Sequence, residues 1–318
     1  MNKIWLAAGA ILCGSALVAP VMAQDYPARP VQVVATGTAG TPTDIVARAL
    51  AEALSASLGQ RFVVENHPSA NGAVAGGIVA EATPDGYSLL MASSSVLSVM
   101  PHLNEALTWD PFADLDPIIS IGTAPLAIGV PPNSPYNTLE ELVAGAKANP
   151  GDITAGAFSL ALAHLAVLML DQAADIDTTF VGYANSADLL TAGMSGEIGF
   201  MINGAGPLIP LFAAGSLKPI AVTSSKRFEG LPDVPTVAET YPGYDAGSWF
   251  GLFGPHDLDP AVRDKLVATI SEIVQAPAFR EQLLGLGASA RILTGDDFKA
   301  VIRSDYDRFG SLIAQIQQ

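Results

Sequence analysis

The densest cluster of ion-binding chemistry in this chain lies between Val31 and Arg48. Val31, Val33 and Val34 are β-branched and almost uninterrupted, the pattern of a strand buried on both faces. Thr36-Gly-Thr-Ala-Gly-Thr-Pro-Thr43 is small or hydroxyl-bearing throughout, and Asp44 then leads into Ile45, Val46, Ala49, Leu50 and Ala53 at helical spacing. A strand, a tight loop and a helix start in succession point unpaired amides and the positive end of the helix dipole at one spot, which favours a carboxylate or phosphate. An ordinary strand-to-helix turn with no ligand has the same pattern. The loop lacks the Gly-Lys-Ser/Thr of a P-loop, and Gly37 and Gly40 do not make a G-x-G-x-x-G fingerprint. A second polar cluster, Ser93-Ser-Ser95, ends the apolar run Ser88 to Ala92, where it would cap the next helix or touch a ligand. As catalytic groups these serines would need a base, and His102 and His164 are the candidates, but no G-x-S-x-G elbow is present. The four histidines, at positions 67, 102, 164 and 256, are too dispersed for a zinc site. The residues point to binding, not bond-making, with no metal and no cofactor.

The surrounding pattern supplies the scaffold. Strands are expected at Arg61–Glu65 and Ser88–Ala92, with a small-residue helix Ala73–Ala82 between them and a turn at Thr83-Pro-Asp-Gly-Tyr87. This β-α-β-α-β order implies a parallel sheet with helices on both faces. A second β/α set begins near Ala124, with strands at Asp152–Gly156, Thr178–Tyr183, Glu197–Asn203 and Leu217–Thr223. A strand Ser248–Pro255 and helices near Pro260–Gln275 and Gly295–Gln315 follow. Two crossings between lobes place a cleft at the hinge. Ile153 to Leu170 holds eighteen uncharged residues, but Gly156, Ser159 and His164 interrupt it and no basic flanks surround it, so it is a buried core helix and not a membrane span.

Residues 1–23 have the form of a secretory signal peptide: Lys3, the apolar run Ile4 to Val18, and Val21-Met-Ala23 before Gln24. The one cysteine, Cys13, lies inside it, so the remaining chain has neither disulfides nor thiolate metal sites. About 295 further residues suit two domains. The net charge of −16 argues against nucleic acid and anionic membrane surfaces as partners. It also means that an anionic ligand must be held by local backbone dipoles, against the long-range field.

The chain resembles the Bug receptor family, the TctC-like extracytoplasmic solute receptors of tripartite tricarboxylate transporters. The resemblance rests on Asp25-Tyr-Pro-Ala-Arg-Pro-Val31, Thr43-Asp-Ile-Val-Ala-Arg48, Val63-Val-Glu-Asn66, Thr83-Pro-Asp-Gly-Tyr87, Trp109-Asp-Pro-Phe112, Leu231-Pro-Asp-Val-Pro-Thr-Val-Ala-Glu239 and Ser248-Trp-Phe-Gly-Leu-Phe253, in this order along the chain. It implies an α/β, two-lobed periplasmic-binding-protein fold of the Venus flytrap type, each lobe a mostly parallel sheet flanked by helices. Residues 24–124 plus 248–318 would form one domain and 125–247 the other. It implies that Thr38, Ala39, Gly40, Thr41, Thr43 and Asp44 hold a ligand carboxylate through amides and bridging waters, with Ser93, Ser94 and Ser95 beside them. Second-lobe contacts would come from Phe158, Ser159, Leu160, His164, Asn185 and Asn203.

Two departures from the family pattern bear on the ligand. Thr41 and Pro42 replace the usual second glycine, adding a hydroxyl and removing an N–H. The second-lobe loop, usually rich in Gly, Ser, Asn and Thr, reads Gly156-Ala-Phe-Ser-Leu-Ala-Leu-Ala163 here. The expectation is a monomeric, non-enzymatic periplasmic receptor that passes a small organic carboxylate to the membrane subunits of a tripartite transporter. The ligand would be a monocarboxylate with an apolar or aromatic body. A di- or tricarboxylate receptor, a ligand-sensing partner of a signalling protein and an enzyme on the same scaffold are the alternatives.

Overall fold

The computed structural model describes residues 25–68, 72–104, 106–158 and 162–316. The segment 1–23 lies outside them, as do Ser159 and Leu160. The chain builds two sheets. The first has the order β11-β4-β10-β3-β1-β2 and the second β7-β6-β8-β5-β9. In the first, β1 (Val31–Ala35), β2 (Phe62–Asn66), β3 (Ser88–Ser93) and β4 (Leu115–Ala124) run one way, while β10 (Ser248–Pro255) and β11 (Ser289–Thr294) run the other. In the second, only β5 (Leu126–Val130) opposes β6 (Thr154–Phe158), β7 (Thr179–Tyr183), β8 (Phe200–Gly204) and β9 (Lys218–Val222). Both sheets are thus mixed, with most strands sharing a direction, and helices cover both faces. This is the α/β two-lobed fold expected from the sequence.

Local chemistry explains the element ends that matter for the cleft. α1 (Pro42–Leu58) starts on a proline, whose missing N–H costs nothing at a first helical position. It ends on Gly59 at φ 71°, a left-handed cap whose amide donates to the Ser55 carbonyl. Its Val46, Leu50 and Leu54 pack under β1 with the buried face of α8 (Pro260–Gln275). The apolar run from Ile153 divides into β6 and then α4 (Leu162–Ala174), most of whose residues are buried. Among the described residues no helix is long and apolar enough to cross a membrane.

The lobes are joined where β4 passes into β5 and where the chain returns into β10. Thr223, fully buried, ties these crossings together: its hydroxyl accepts from the Leu126 amide at 3.1 Å and lies 3.1 Å from the Ala246 carbonyl. The C-terminal helix α10 (Gly295–Ile316) adds a third link that its sequence position did not suggest. Phe298 and Ile302 pack with the first sheet, whereas Phe309, Leu312 and Ile313 belong to the core under α4 in the second lobe. Trp249, at the start of β10, donates to the buried Asp305 carboxylate at 2.9 Å, fixing α10 to the returning crossing.

Candidate functional site

The register of the sheets determines which loops meet. Ser248 of β10 pairs with Ala124 of β4, and Phe250 pairs with Ser93 of β3, so the crossings leave the first sheet at the carboxyl ends of β1 and β3. Leu126, the first residue of β5, pairs with Gly204, the last of β8. The crossings therefore enter the second sheet at the carboxyl ends of β6, β7 and β8. Loops after Ala35 and Ser93 thus share the hinge edge of one lobe, and loops after Phe158, Tyr183 and Asn203 the hinge edge of the other. Open α/β sheets take ligands at such carboxyl ends.

In the first lobe, Asp44 organises the loop. It is 2% exposed. Its carboxylate accepts from the Gly40 amide at 2.9 Å, from Asn66 Nδ2 at 2.7 Å and from Arg48 at 3.0–3.1 Å. Asn66 also donates to the Gly37 carbonyl at 2.9 Å, and Arg48 to Asn66 Oδ1 at 2.8 Å. Gly40 has φ 84°, which its lack of a Cβ permits. The Thr41 amide and hydroxyl both donate to the Thr38 carbonyl, at 3.1 and 2.7 Å. Gly40 and Thr41 amides, expected among the ligand donors, are therefore used inside the loop, and Asp44 holds the loop through its side chain. The amides of Thr38, Ala39, Thr43 and Asp44 have no acceptor among the described residues. Burial alone would raise the Asp44 carboxyl's pKa, but hydrogen bonds from Arg48, Gly40 and Asn66 outweigh it and hold the group below the ordinary Asp value. Arg48 is spent on Asp44 and Asn66.

The serines divide similarly. Ser94 is fully buried, its hydroxyl 3.0 Å from that of Ser248, so it bonds β3 to the returning crossing. Ser93 and Ser95 are half-buried and keep hydroxyls without a protein partner among the described residues.

Second-lobe candidates are mostly engaged with their own fold. Asn185 caps α5 (Ser186–Ser195), accepting from the Asp188 amide at 3.0 Å and donating to its carboxylate at 2.7 Å. Asn203 is buried, accepts from the Gly204 amide at 2.8 Å and reaches Ser186 Oγ at 3.4 Å. His164 is buried and stacked on Phe180 at 3.7 Å, with Nδ1 unpartnered among the described residues. Burial lowers its pKa, so its ring is neutral at pH 7. Phe158 is half-buried and packs against the cluster of Leu189, Ile198 and Met201. Leu162, at the start of α4, is buried in the core on the other face of the sheet. The expectation that Phe158 simply faces a ligand is thereby changed: truncation to alanine should cost about 2 kcal/mol of stability, half a fully buried phenylalanine. A denaturant midpoint unchanged from wild type would show that Phe158 is free of the core.

Sequence reasoning missed Asn66, Arg48 and Ser248 as supports of the site. All three sit inside the motifs that carry the family resemblance, and only their side-chain partners, distant in sequence, reveal what they do. A cavity of about 820 Å³ lies elsewhere, on the flank of the hinge between Ser224–Glu229 and Ser289–Arg291, with Arg308 at its wall. It contains none of the expected ligand residues. The strand-end loops fit the anion chemistry better, because the amides and hydroxyls without partners are there. No group of three His, Cys, Asp or Glu side chains converges on a metal-binding geometry among the described residues.

Comparison with known proteins agrees with this architecture. Residues 46–318 match the model of the TctC family, the tripartite tricarboxylate transporter family receptors. A UPF0065 protein of Bordetella bronchiseptica is 34% identical over 95% of this chain and 92% of its own length. Protein BugT of Bordetella pertussis is 30% identical over 99% and 98%. Among solved structures, a TctC solute-binding protein from Polaromonas superposes with TM-score 0.82 at 28% identity, covering 91% of this chain and 99% of its own. An R. palustris protein solved with adipate gives 0.75 at 27% identity, with 91% and 97% covered. MatC from Rhodopseudomonas palustris, solved with malate, gives 0.70 at 25%, with 91% and 100% covered. This chain belongs to the TctC family of tripartite tricarboxylate transporter receptors, and is a solute-binding receptor of the Bug type rather than an enzyme.

Proposed function

We propose that the chain is a monomeric, extracytoplasmic receptor, exported by the signal peptide 1–23, that captures a small organic carboxylate between its lobes. One observation carries the reading. Among the described residues, the amides of Thr38, Ala39, Thr43 and Asp44 and the hydroxyls of Ser93 and Ser95 have no protein partner, and they lie at one hinge-facing edge. A carboxylate there gains charge-assisted hydrogen bonds and the favourable end of α1. The ligand is a monocarboxylate with an apolar or aromatic body. Segments 156–158, 162–164, 182–188 and 202–208 of the second lobe carry no Lys or Arg, and Asp188 lies in the first turn of α5. A second carboxylate would be desolvated there without a cation to pair with. The membrane subunits of a tripartite transporter are the receiving partner.

A dicarboxylate is the second reading, favoured by the relatives solved with adipate and with malate. A thermal-shift screen of benzoate, branched-chain monocarboxylates, adipate, malate, succinate and citrate separates the two. Ligands at a hundredfold excess over Kd stabilise by about 2.7 kcal/mol, a shift easily read. Stabilisation by the monocarboxylates is expected. Stabilisation by the di- and tricarboxylates alone would replace the first reading with the second.

A further inference from the structure

Beyond the strand-end cleft, the lobes touch along one side of α9 (Pro277–Gly285). Arg280 meets Glu229 of the second lobe at 3.3 Å. Leu284 packs against the second-lobe cluster that holds Phe228 and Leu208. At the end of α9 the backbones themselves meet. Gly206 is the second residue of α6 (Ala205–Ala213), and a Cβ there would sit 2.8 Å from the Leu286 carbonyl oxygen and 3.2 Å from its carbon. Conversely, a Cβ on Gly287 would overlap the Gly206 backbone. Neither partner yields easily. The α9 turn is closed by three amides, Leu286, Gly287 and Ala288, donating at 2.9–3.2 Å to carbonyls of Gln282, Leu283 and Leu284. The start of α6 is tied to the crossing, with the Ala205 amide on the Pro125 carbonyl at 3.0 Å.

The position of this contact gives it a consequence. Leu286 lines an apolar notch with Ile45 and Val46, at the start of α1 and directly after the candidate ligand loop. On the opposite face of the sheets, α10 packs into the second-lobe core, where it would serve as the pivot. With α10 as the pivot, a displacement at Gly206 would open the side on which α1 begins.

We propose that the Gly206 to Leu286–Gly287 contact is the interlobe stop that sets how far the cleft closes, its two glycines allowing a backbone approach that any side chain would block. Ordinary carbon contact begins near 3.4 Å, so Gly206→Ala must push the lobes apart by about half an ångström at this point. Helix propensity favours that substitution, which separates a lobe effect from a folding effect.

The test uses the chain from Gln24 onward, which has no cysteine. Exposed Ser57 on α1 and Ser195 on α5 are changed to cysteine and spin-labelled, and the distance between labels is measured without any ligand. Gly206→Ala should lengthen it by about 2 Å or more, the scale of helix shifts at packed interfaces. Gly285→Ala, directly before Leu286 but facing open space, should leave it unchanged. Gly287→Asn, which tolerates the left-handed φ of 76° better than other residues, should lengthen it as well and serves if Gly206→Ala does not fold. An unchanged distance in the folded variants overturns the proposal. Affinity for benzoate and adipate rests on the receptor reading and is measured separately: whichever binds wild type should bind Gly206→Ala at least about fivefold more weakly. If neither binds wild type, the ligand assignment fails while the distance measurement still decides the stop.

Discussion

Asp44→Ala should remove about 3 kcal/mol of stability and abolish ligand binding. The stability loss follows from what the carboxylate touches: one backbone amide, one side-chain amide and one guanidinium, around a group that is almost fully buried. Breaking a buried pair by removing one partner costs about 3–5 kcal/mol. Arg48 is half-exposed and recovers part of that by hydration, which places the expectation at the lower end. The binding loss follows because Gly40 and Asn66 lose their common acceptor, and the loop carrying the Thr38 and Ala39 amides loses its shape. Asp44→Asn keeps the volume and one acceptor oxygen, and should fall between the two. The pH dependence has a definite sign. The folded pKa of Asp44 lies below its ordinary value, so its stabilisation is complete above the ordinary Asp range and is lost as pH falls through the depressed folded value. Asp171 works the opposite way: burial raises it to about 6, so its contribution falls as pH rises from its ordinary value toward 6. Only the difference between wild type and Asp44→Ala isolates the Asp44 limb. That difference in chemical-denaturation stability should shrink as the solution is acidified below the ordinary Asp range. A constant difference across that range would mean that Asp44 is not held as a paired carboxylate.

Much of the scaffold could be read from residue order, and the reasons are local. β10, Ser248–Pro255, announces itself by an aromatic run bounded by proline, and α8, Pro260–Gln275, by Asp259 before a first-turn proline and an apolar stripe. β4 and β5 had no such signal. They abut at residues 124–126 with no turn motif between two apolar runs, because the chain passes directly from one sheet to the other. α9 and β11 were equally hidden: β11 is half-exposed at a sheet edge and lacks a continuous apolar face. The packing of α10 was hidden too, since residue order does not show that Phe309, Leu312 and Ile313 enter the second-lobe core.

The candidate site was legible as a place and less so as a set of contacts. The loop after β1 could be located because small residues, glycine and a following helical stripe have a local signature. Which of its amides remain free depends on Asp44, Asn66 and Arg48, and that network spans twenty-two residues of sequence between Asp44 and Asn66. The same holds for Ser94 and Ser248, whose bond crosses 154 residues. For Asn185 the local signature was the better guide: Asn-x-x-Asp is a helix cap, and that is where its amide is engaged.

Thr41→Asp should reduce carboxylate binding by about a hundredfold or more while leaving the protein at least as stable as wild type. Thr41 occupies the N-cap of α1 in extended geometry, φ −76° and ψ 159°, yet its side chain makes no cap bond. Its hydroxyl turns back to the Thr38 carbonyl instead. Aspartate is a strong N-cap residue, and its carboxylate would accept from the Thr43 or Asp44 amide with a gain of about 1 kcal/mol, less some repulsion from Asp44. Those are two of the loop amides that have no acceptor among the described residues. The substitution thus occupies the donors and places a like charge where the ligand carboxylate should lie. At about 4 Å and an effective dielectric near 20, that repulsion is about 4 kcal/mol, more than enough for a hundredfold loss. Thr41→Asn separates the two causes, since it caps the same amides without charge and should lose less. Thr41→Gly removes one hydroxyl bond and should be tolerated within a few-fold, because the loop is held by Asp44 and not by Thr41. Calorimetry with the acid identified in the thermal-shift screen gives the affinities, and thermal melts of the ligand-free variants give the stability. Full affinity in a folded Thr41→Asp variant would place the carboxylate site away from the start of α1.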